Sequence, residues 1–162
     1  MRRREFIAGL GTAAAWPLAA QAQQPAERVR LIGVLMGGDG NDPVGKTLVS
    51  TFTQALADLG WIDGRNVRMY VRWTGGDTNR TRALAQELVG LQPDIIVTSA
   101  TPATAAVQRE TRKIPMVFVS MTDPVASGIV ARLDRPSENV TGFANLEASL
   151  GGKWLELLRT AA

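Results

Sequence analysis

The sequence of 162 residues contains no cysteine and no histidine. Without cysteine, no disulfide can form and no lipid can be carried on a terminal thiol. Thiol and imidazole catalysis are excluded as well, and a zinc site would have to be built from carboxylates alone. Most enzyme chemistries fall away with these two residue types, and no cofactor or metal is expected. A clustered basic stripe of the kind that tracks a phosphate backbone is also missing, so no nucleic-acid partner is expected. Phe6 to Ala20 is an uncharged stretch of fifteen residues, interrupted by Gly9, Gly11 and Pro17. It is too short and too broken for a membrane span, which needs ~20 apolar residues.

What is present begins with Arg2, Arg3 and Arg4, the apolar stretch, and then Ala20-Gln21-Ala22 in the small-x-small form of a cleavage site. Those three parts make an export signal over residues 1–22, followed by a polar linker over 23–28. Arg3-Arg4-Glu5-Phe6-Ile7 has the narrower form of a twin-arginine signal, with an ordinary secretory signal as the alternative. The mature protein is therefore expected to be free and soluble in the periplasm. Removing the signal leaves 15 basic against 14 acidic residues, so much of the net charge of +3 and the pI of 9.9 belongs to the signal. About 140 mature residues suffice for one core, and a single domain is expected.

Apolar runs then alternate with amphipathic stretches. Strands are predicted over Val29 to Met36, Val67 to Trp73, Ile95 to Thr98, Pro115 to Val119 and Val140 to Phe143. Helices are predicted over Thr47 to Leu59, from a cap at Asp77 or Thr78 to Leu91, over Pro102 to Thr111 with Thr101 as N-cap, and over Asp123 to Leu133. A last helix begins between Leu146 and Arg159. This alternation defines an α/β fold with a doubly wound parallel sheet. Ligands bind such sheets at the carboxyl ends of the strands, where strand order reverses. Three loops meet there: Met36 to Asp39, Ser99 to Thr101, and Ser120 to Asp123. Their short polar side chains and the adjacent helix N-termini suit a small polar ligand or an anion, although Thr101 and Asp123 could serve only as helix caps.

Gly40-Asn41-Asp42-Pro43-Val44-Gly45-Lys46-Thr47 fits the phosphate-binding pattern G-x-x-x-x-G-K-[ST] letter for letter. A nucleotide-using enzyme would follow from that match. Against it, three residues separate the strand from the first glycine, Pro43 lacks an N–H, and Asp42 puts negative charge where phosphates would sit. No apolar strand ending in a magnesium-holding Asp is evident, and an exported protein meets little ATP. Lys46 is then a solvated residue in the first turn of a helix, and the chain is not expected to be an enzyme. Asn139-Val140-Thr141 matches a glycosylation acceptor by chance in a chain with a bacterial signal. Trp61, Trp73 and Trp154 are assigned to packing.

Segments without catalytic purpose are the most distinctive. Phe52 to Val67, containing Asp58-Leu59-Gly60-Trp61-Ile62-Asp63-Gly64-Arg65-Asn66, is followed by Tyr70-Val71-Arg72-Trp73 and Ala85-Gln86-Glu87-Leu88-Val89. Ile114 to Val119, Asp123-Pro124-Val125 and Arg135 to Gly142 come in the same order and spacing. The region from Arg28 to Arg159 closely resembles the ABC transporter substrate-binding family related to the tryptophan-binding lipoproteins. The resemblance implies a type I periplasmic binding protein, whose two Rossmann-like lobes close on a small ligand, an amino acid in several relatives, and present it to an inner-membrane permease. Residues 29–145 would be the first ligand-binding lobe, and 146–162 would begin the helix leading to a second lobe that is missing. Met36, Gly37, Asp39, Ser99, Ala100, Thr101, Met121, Thr122 and Asp123 would line the ligand. The family is about twice this length, so a truncated chain with weak or no binding is expected, with its exposed lobe face favouring self-association. A stand-alone sensor or interaction module is the remaining alternative.

Overall fold

A computed structural model of the chain describes residues 28–135, 139–146 and 156–160. The expected export signal, the linker before Arg28 and most of the region that begins the last helix lie outside the described residues. Among the described residues the elements run β1 (Arg30–Met36), α1 (Pro43–Asp58), β2 (Val67–Trp73), α2 (Thr78–Gly90), β3 (Ile95–Ser99), α3 (Thr101–Glu110), β4 (Met116–Thr122) and β5 (Val140–Leu146), and residues 156–160 are also helical. All neighbouring strands pair in parallel, in the order β2-β1-β3-β4-β5. The doubly wound sheet expected from the alternating pattern is therefore formed, and strand order reverses between β1 and β3.

Side chains on successive strand residues point to opposite faces, and each face gathers its own core. Leu35, Ile96, Phe118 and Met121 pack with Ala85 and Leu88 of α2 and Ala103, Ala106 and Val107 of α3. On the other face Ile32, Val34, Met36 and Val67 meet Val49, Phe52 and Leu56 of α1.

Several boundaries differ from the predicted ones: β3, β4 and β5 run on to Ser99, Thr122 and Leu146, and the helices differ more. Helix α1 starts at Pro43 rather than Thr47, because Asp42 caps it and the fixed φ of Pro43 suits the first helical position. The first residue of α3 is Thr101, and the cap position belongs to Ala100, which offers no side-chain hydrogen bond. The helix predicted over Asp123 to Leu133 does not form. Residues 124–128 make a single turn, closed by the Ser127 and Gly128 N–H groups on the carbonyls of Asp123 and Val125, and Gly128 then takes a left-handed φ of 70°. That reversal drives Ile129 and Val130 into the core beside α3, where the Gln108 amide holds the Ile129 carbonyl at 2.9 Å. Burying two large side chains outweighs continuing a helix through Ser127-Gly128.

Candidate functional site

Three helices start at the carboxyl edge of the sheet, and their N-termini differ. A helix leaves its first N–H groups without intrahelical partners. In α1 the Asp42 carboxylate takes the N–H groups of Val44 (3.1 Å) and Gly45 (3.2 Å). In α2 the Asp77 carboxylate takes the N–H of Arg80 at 2.6 Å. Both ends are thus capped by the protein's own carboxylates. At α3 no side chain caps the helix. Of these three ends it alone has no side-chain cap, so no carboxylate of the protein stands between its positive dipole end and a ligand.

The same end carries conformational strain. Ala100 has φ 74° and ψ 151°, a region that L-residues seldom adopt. Its N–H donates to the Val119 carbonyl (3.3 Å), and its carbonyl accepts from both the N–H (3.2 Å) and the hydroxyl (3.0 Å) of Thr104. The Thr104 hydroxyl in turn bonds that of Thr98, fully buried, at 2.8 Å. Neither threonine stood out in the sequence, since Thr98 in an apolar strand reads as ordinary β-propensity and Thr104 as one more residue of a helix. The pairing needed the β3–α3 turn to bring them together. Two further positive φ angles, at Ser120 (53°) and Asp123 (41°), lie on the neighbouring β4 end, so strain is concentrated around the strand-order switch.

The structure separates the residues expected at the ligand. Gly37 and Ala100 come together: a Cβ on Gly37 would lie 2.8 Å from the Ala100 Cβ and 3.0 Å from the Ser99 carbonyl. Only glycine permits that approach. Asp39 is exposed, and its carboxylate accepts the Asn41 N–H at 2.7 Å. Ser99 and Thr101 are half-buried beside the open α3 end, and Thr122 is exposed. Asp123 ties down the turn that follows it, accepting the Ala126 N–H at 2.8 Å. Met36 and Met121 are 6 % and 0 % exposed and pack in the cores on opposite faces.

The phosphate-loop match has a different explanation. Asp42 already occupies the N–H groups of Val44 and Gly45 that a phosphate would need, and Lys46 is exposed on α1. A Cβ on Gly45 would stand 2.7 Å from Trp73 Cζ3, and one on Gly40 would stand 3.2 Å from Trp73 Cγ. The two glycines are spaced to accept an indole. Asn139 is likewise committed, its side-chain amide donating to the Ile114 carbonyl at 2.6 Å.

Beyond the strands, the β1–α1 and β2–α2 loops stay joined: Thr74 and Gly76 N–H groups reach the carbonyls of Met36 (2.9 Å) and Gly37 (3.0 Å), and the Thr74 hydroxyl also reaches Gly37 (2.9 Å). Ion pairs lie away from this edge. The Arg72 guanidinium grips Glu87 at 2.6 Å, which holds the Glu87 carboxyl below its ordinary range and raises the Arg72 value. At the amino edge, Asp94 accepts the Leu31 N–H at 2.8 Å and pairs with Arg30 and Arg28, all of which hold its carboxyl low, the backbone bond most strongly.

A five-stranded parallel sheet with an open helix end at its strand-order switch defines a ligand-binding α/β lobe. Residues 29–160 match the family described as ABC transporter substrate binding protein, and the chain belongs to that family. It is 33% identical over 109 residues to the tyrosine-binding protein of Clostridioides difficile (strain R20291), covering 67% of this chain and 31% of that protein. A conserved domain protein from Vibrio cholerae superposes with a TM-score of 0.71 at 27% identity, over 82% of this chain and 43% of the other. An ABC domain from Streptococcus pneumoniae, crystallised in complex with L-Trp, superposes with a TM-score of 0.65 at 28% identity, over 71% of this chain and 38% of the other. The chain thus spans less than half the length of each of these relatives.

Proposed function

We propose that this chain is one lobe of an exported solute-binding protein, which holds a small polar solute at the carboxyl ends of β1, β3 and β4 and passes it to an ABC permease in the inner membrane. The uncapped N-terminus of α3, held open beside the strained Ala100, carries the proposal. An anionic group such as a carboxylate would take the place that Asp42 and Asp77 fill in α1 and α2. Amino acids are the solute class, since relatives are named for tyrosine and crystallised with L-Trp. Export through the twin-arginine segment places binding in the periplasm. Residues 1–162 supply one wall of a cleft, so affinity for an amino acid is weak in this chain alone, because closure by two walls supplies most of a ligand's burial.

Titration of the chain with L-tyrosine and L-tryptophan by calorimetry and by amide chemical shifts tests the proposal. Weak binding that shifts the amides of Ala100 to Thr104 is expected. Submicromolar affinity would overturn the one-wall account, and unchanged amides at this end would overturn the site.

A further inference from the structure

A second pocket lies on the other side of β1 from the α3 end, between the β1–α1 and β2–α2 loops. Its volume is about 340 Å³, and it is lined by Asp39, Gly40, Asn41, Trp73, Gly75 and Arg80. That volume is at the lower end of the range for small-molecule sites, ~300–1,000 Å³. Its walls are set by backbone bonds between the two loops, including Gly75 N–H to the Gly38 carbonyl at 2.9 Å. Gly40 and Gly45, by their lack of side chains, fix the Trp73 indole at its edge.

The polar groups around it carry opposite charges. Arg80 is the third residue of α2, in a first turn that has no acidic residue. A cation there opposes the helix dipole and is unfavourable for stability. Among the described residues its guanidinium has no hydrogen-bond or ion-pair partner; only its backbone N–H is engaged, by Asp77. In the lining of the same pocket, one oxygen of the Asp39 carboxylate accepts the Asn41 N–H, and the other is left to accept from elsewhere. A misplaced cation, a half-satisfied carboxylate and an aromatic wall around one small cavity are complementary to a zwitterion with an apolar portion.

We infer that this pocket is a second site for a free amino acid, separate from the α3 end and taking its own ligand molecule, with the ligand carboxylate on Arg80, its ammonium on Asp39 and its side chain along Trp73. The assignment rests on the solute-binding proposal and adds to it a site built wholly within this chain. Trp73, assigned to packing from the sequence, packs on α1 with its ring and also borders the pocket.

The test is an amide chemical-shift titration of the isotopically labelled chain with L-phenylalanine, phenethylamine, which lacks the carboxylate, and N-acetyl-L-phenylalanine, which lacks the ammonium. Shifts at Asn41, Gly75 and the Trp73 indole N–H are expected with L-phenylalanine, and each lesser probe should need about tenfold more to match them. Arg80→Gln, an exposed position, should weaken L-phenylalanine about tenfold and leave phenethylamine unchanged. Equal weakening of both would overturn the carboxylate assignment. Shifts confined to residues 99–104 would overturn this second site and leave the solute-binding proposal standing. No shift anywhere up to about 10 mM, where even millimolar binding would show, would overturn both.

Discussion

The two faces of the sheet are covered unequally, although the same strands supply both. Along β3 the residues facing α2 and α3, Ile96 and Thr98, are fully buried, whereas Ile95 and Val97 on the α1 face are half-buried. Strand β4 repeats this, with Met116 and Phe118 buried and Val117 and Val119 half-buried. Among the described residues, α2 and α3 lie side by side on one face, while α1 meets the other chiefly over β1 and β2. An apolar groove of about 910 Å³ remains there, reaching from Phe52 across Val97, Val117 and Val119 to Phe143, which is 74% exposed. Parallel sheets normally have both faces covered. Apolar content therefore does not by itself tell which strand residues hold the fold.

The largest expected effect tests the better-covered face. Phe118→Ala should lower unfolding free energy by about 3–5 kcal/mol, as removal of a fully buried aromatic does. Val117→Ala, one residue away on the open face, should cost less than about 1 kcal/mol, since its methyl groups already meet the groove. Urea denaturation of both variants measures the difference. Equal losses would mean that the two faces are equally packed.

On the α1 face, Gly45→Ala sharpens the comparison. In an exposed helix alanine would be favoured over glycine by about 1 kcal/mol. Here its Cβ would stand 2.7 Å from the Trp73 ring, so a net loss of about 1–2 kcal/mol is expected from overpacking. Thermal unfolding that rises in this variant would show that α1 shifts freely over β2. A smaller loss, about 1 kcal/mol, is expected for Asp42→Ala, which removes the carboxylate from two N–H groups at the start of the same helix.

The smallest effect concerns the amino end of the groove, where Asp94 lies. Its carboxyl is held below the usual range by the Leu31 N–H and then by the arginines. A depressed folded value means that the charged form stabilises the fold. That stabilisation is complete above the unfolded value, about 3.9, and is lost as pH falls through the lower folded value. Asp94→Asn should therefore flatten the loss of thermal stability with pH below about 4, as followed by melting at successive pH values. A variant with the same acid limb as the parent would remove Asp94 from that dependence.

Much of the architecture was legible in the sequence. Val67 to Trp73 was bounded to the residue because alternating polarity on a half-covered sheet leaves a period-2 signal. The cap at Asp77 was one of the two predicted, since the short carboxylate before a helical pattern has few other uses. The helix after Asp123 was misassigned, because the burial of Ile129 and Val130 against α3 leaves no local trace in the sequence. Candidate ligand residues were legible as loops but not as side chains: Met36 and Met121 lie at strand ends in sequence, and their burial depends on which face the pleat presents.

By itself the sequence determined the parallel α/β fold, the family and the places where its loops gather. Hydrophobic period, caps and turn residues act over a few positions, and they suffice for those. Only the tertiary structure decided that Asp42 caps α1 while the end of α3 is left without a side-chain cap. It also showed that the glycines of a phosphate-loop pattern accommodate Trp73, and that Arg80 and Asp39 line one cavity. Each of those facts joins residues from different strands and loops, and such contacts exist only once the sheet has brought its carboxyl ends together.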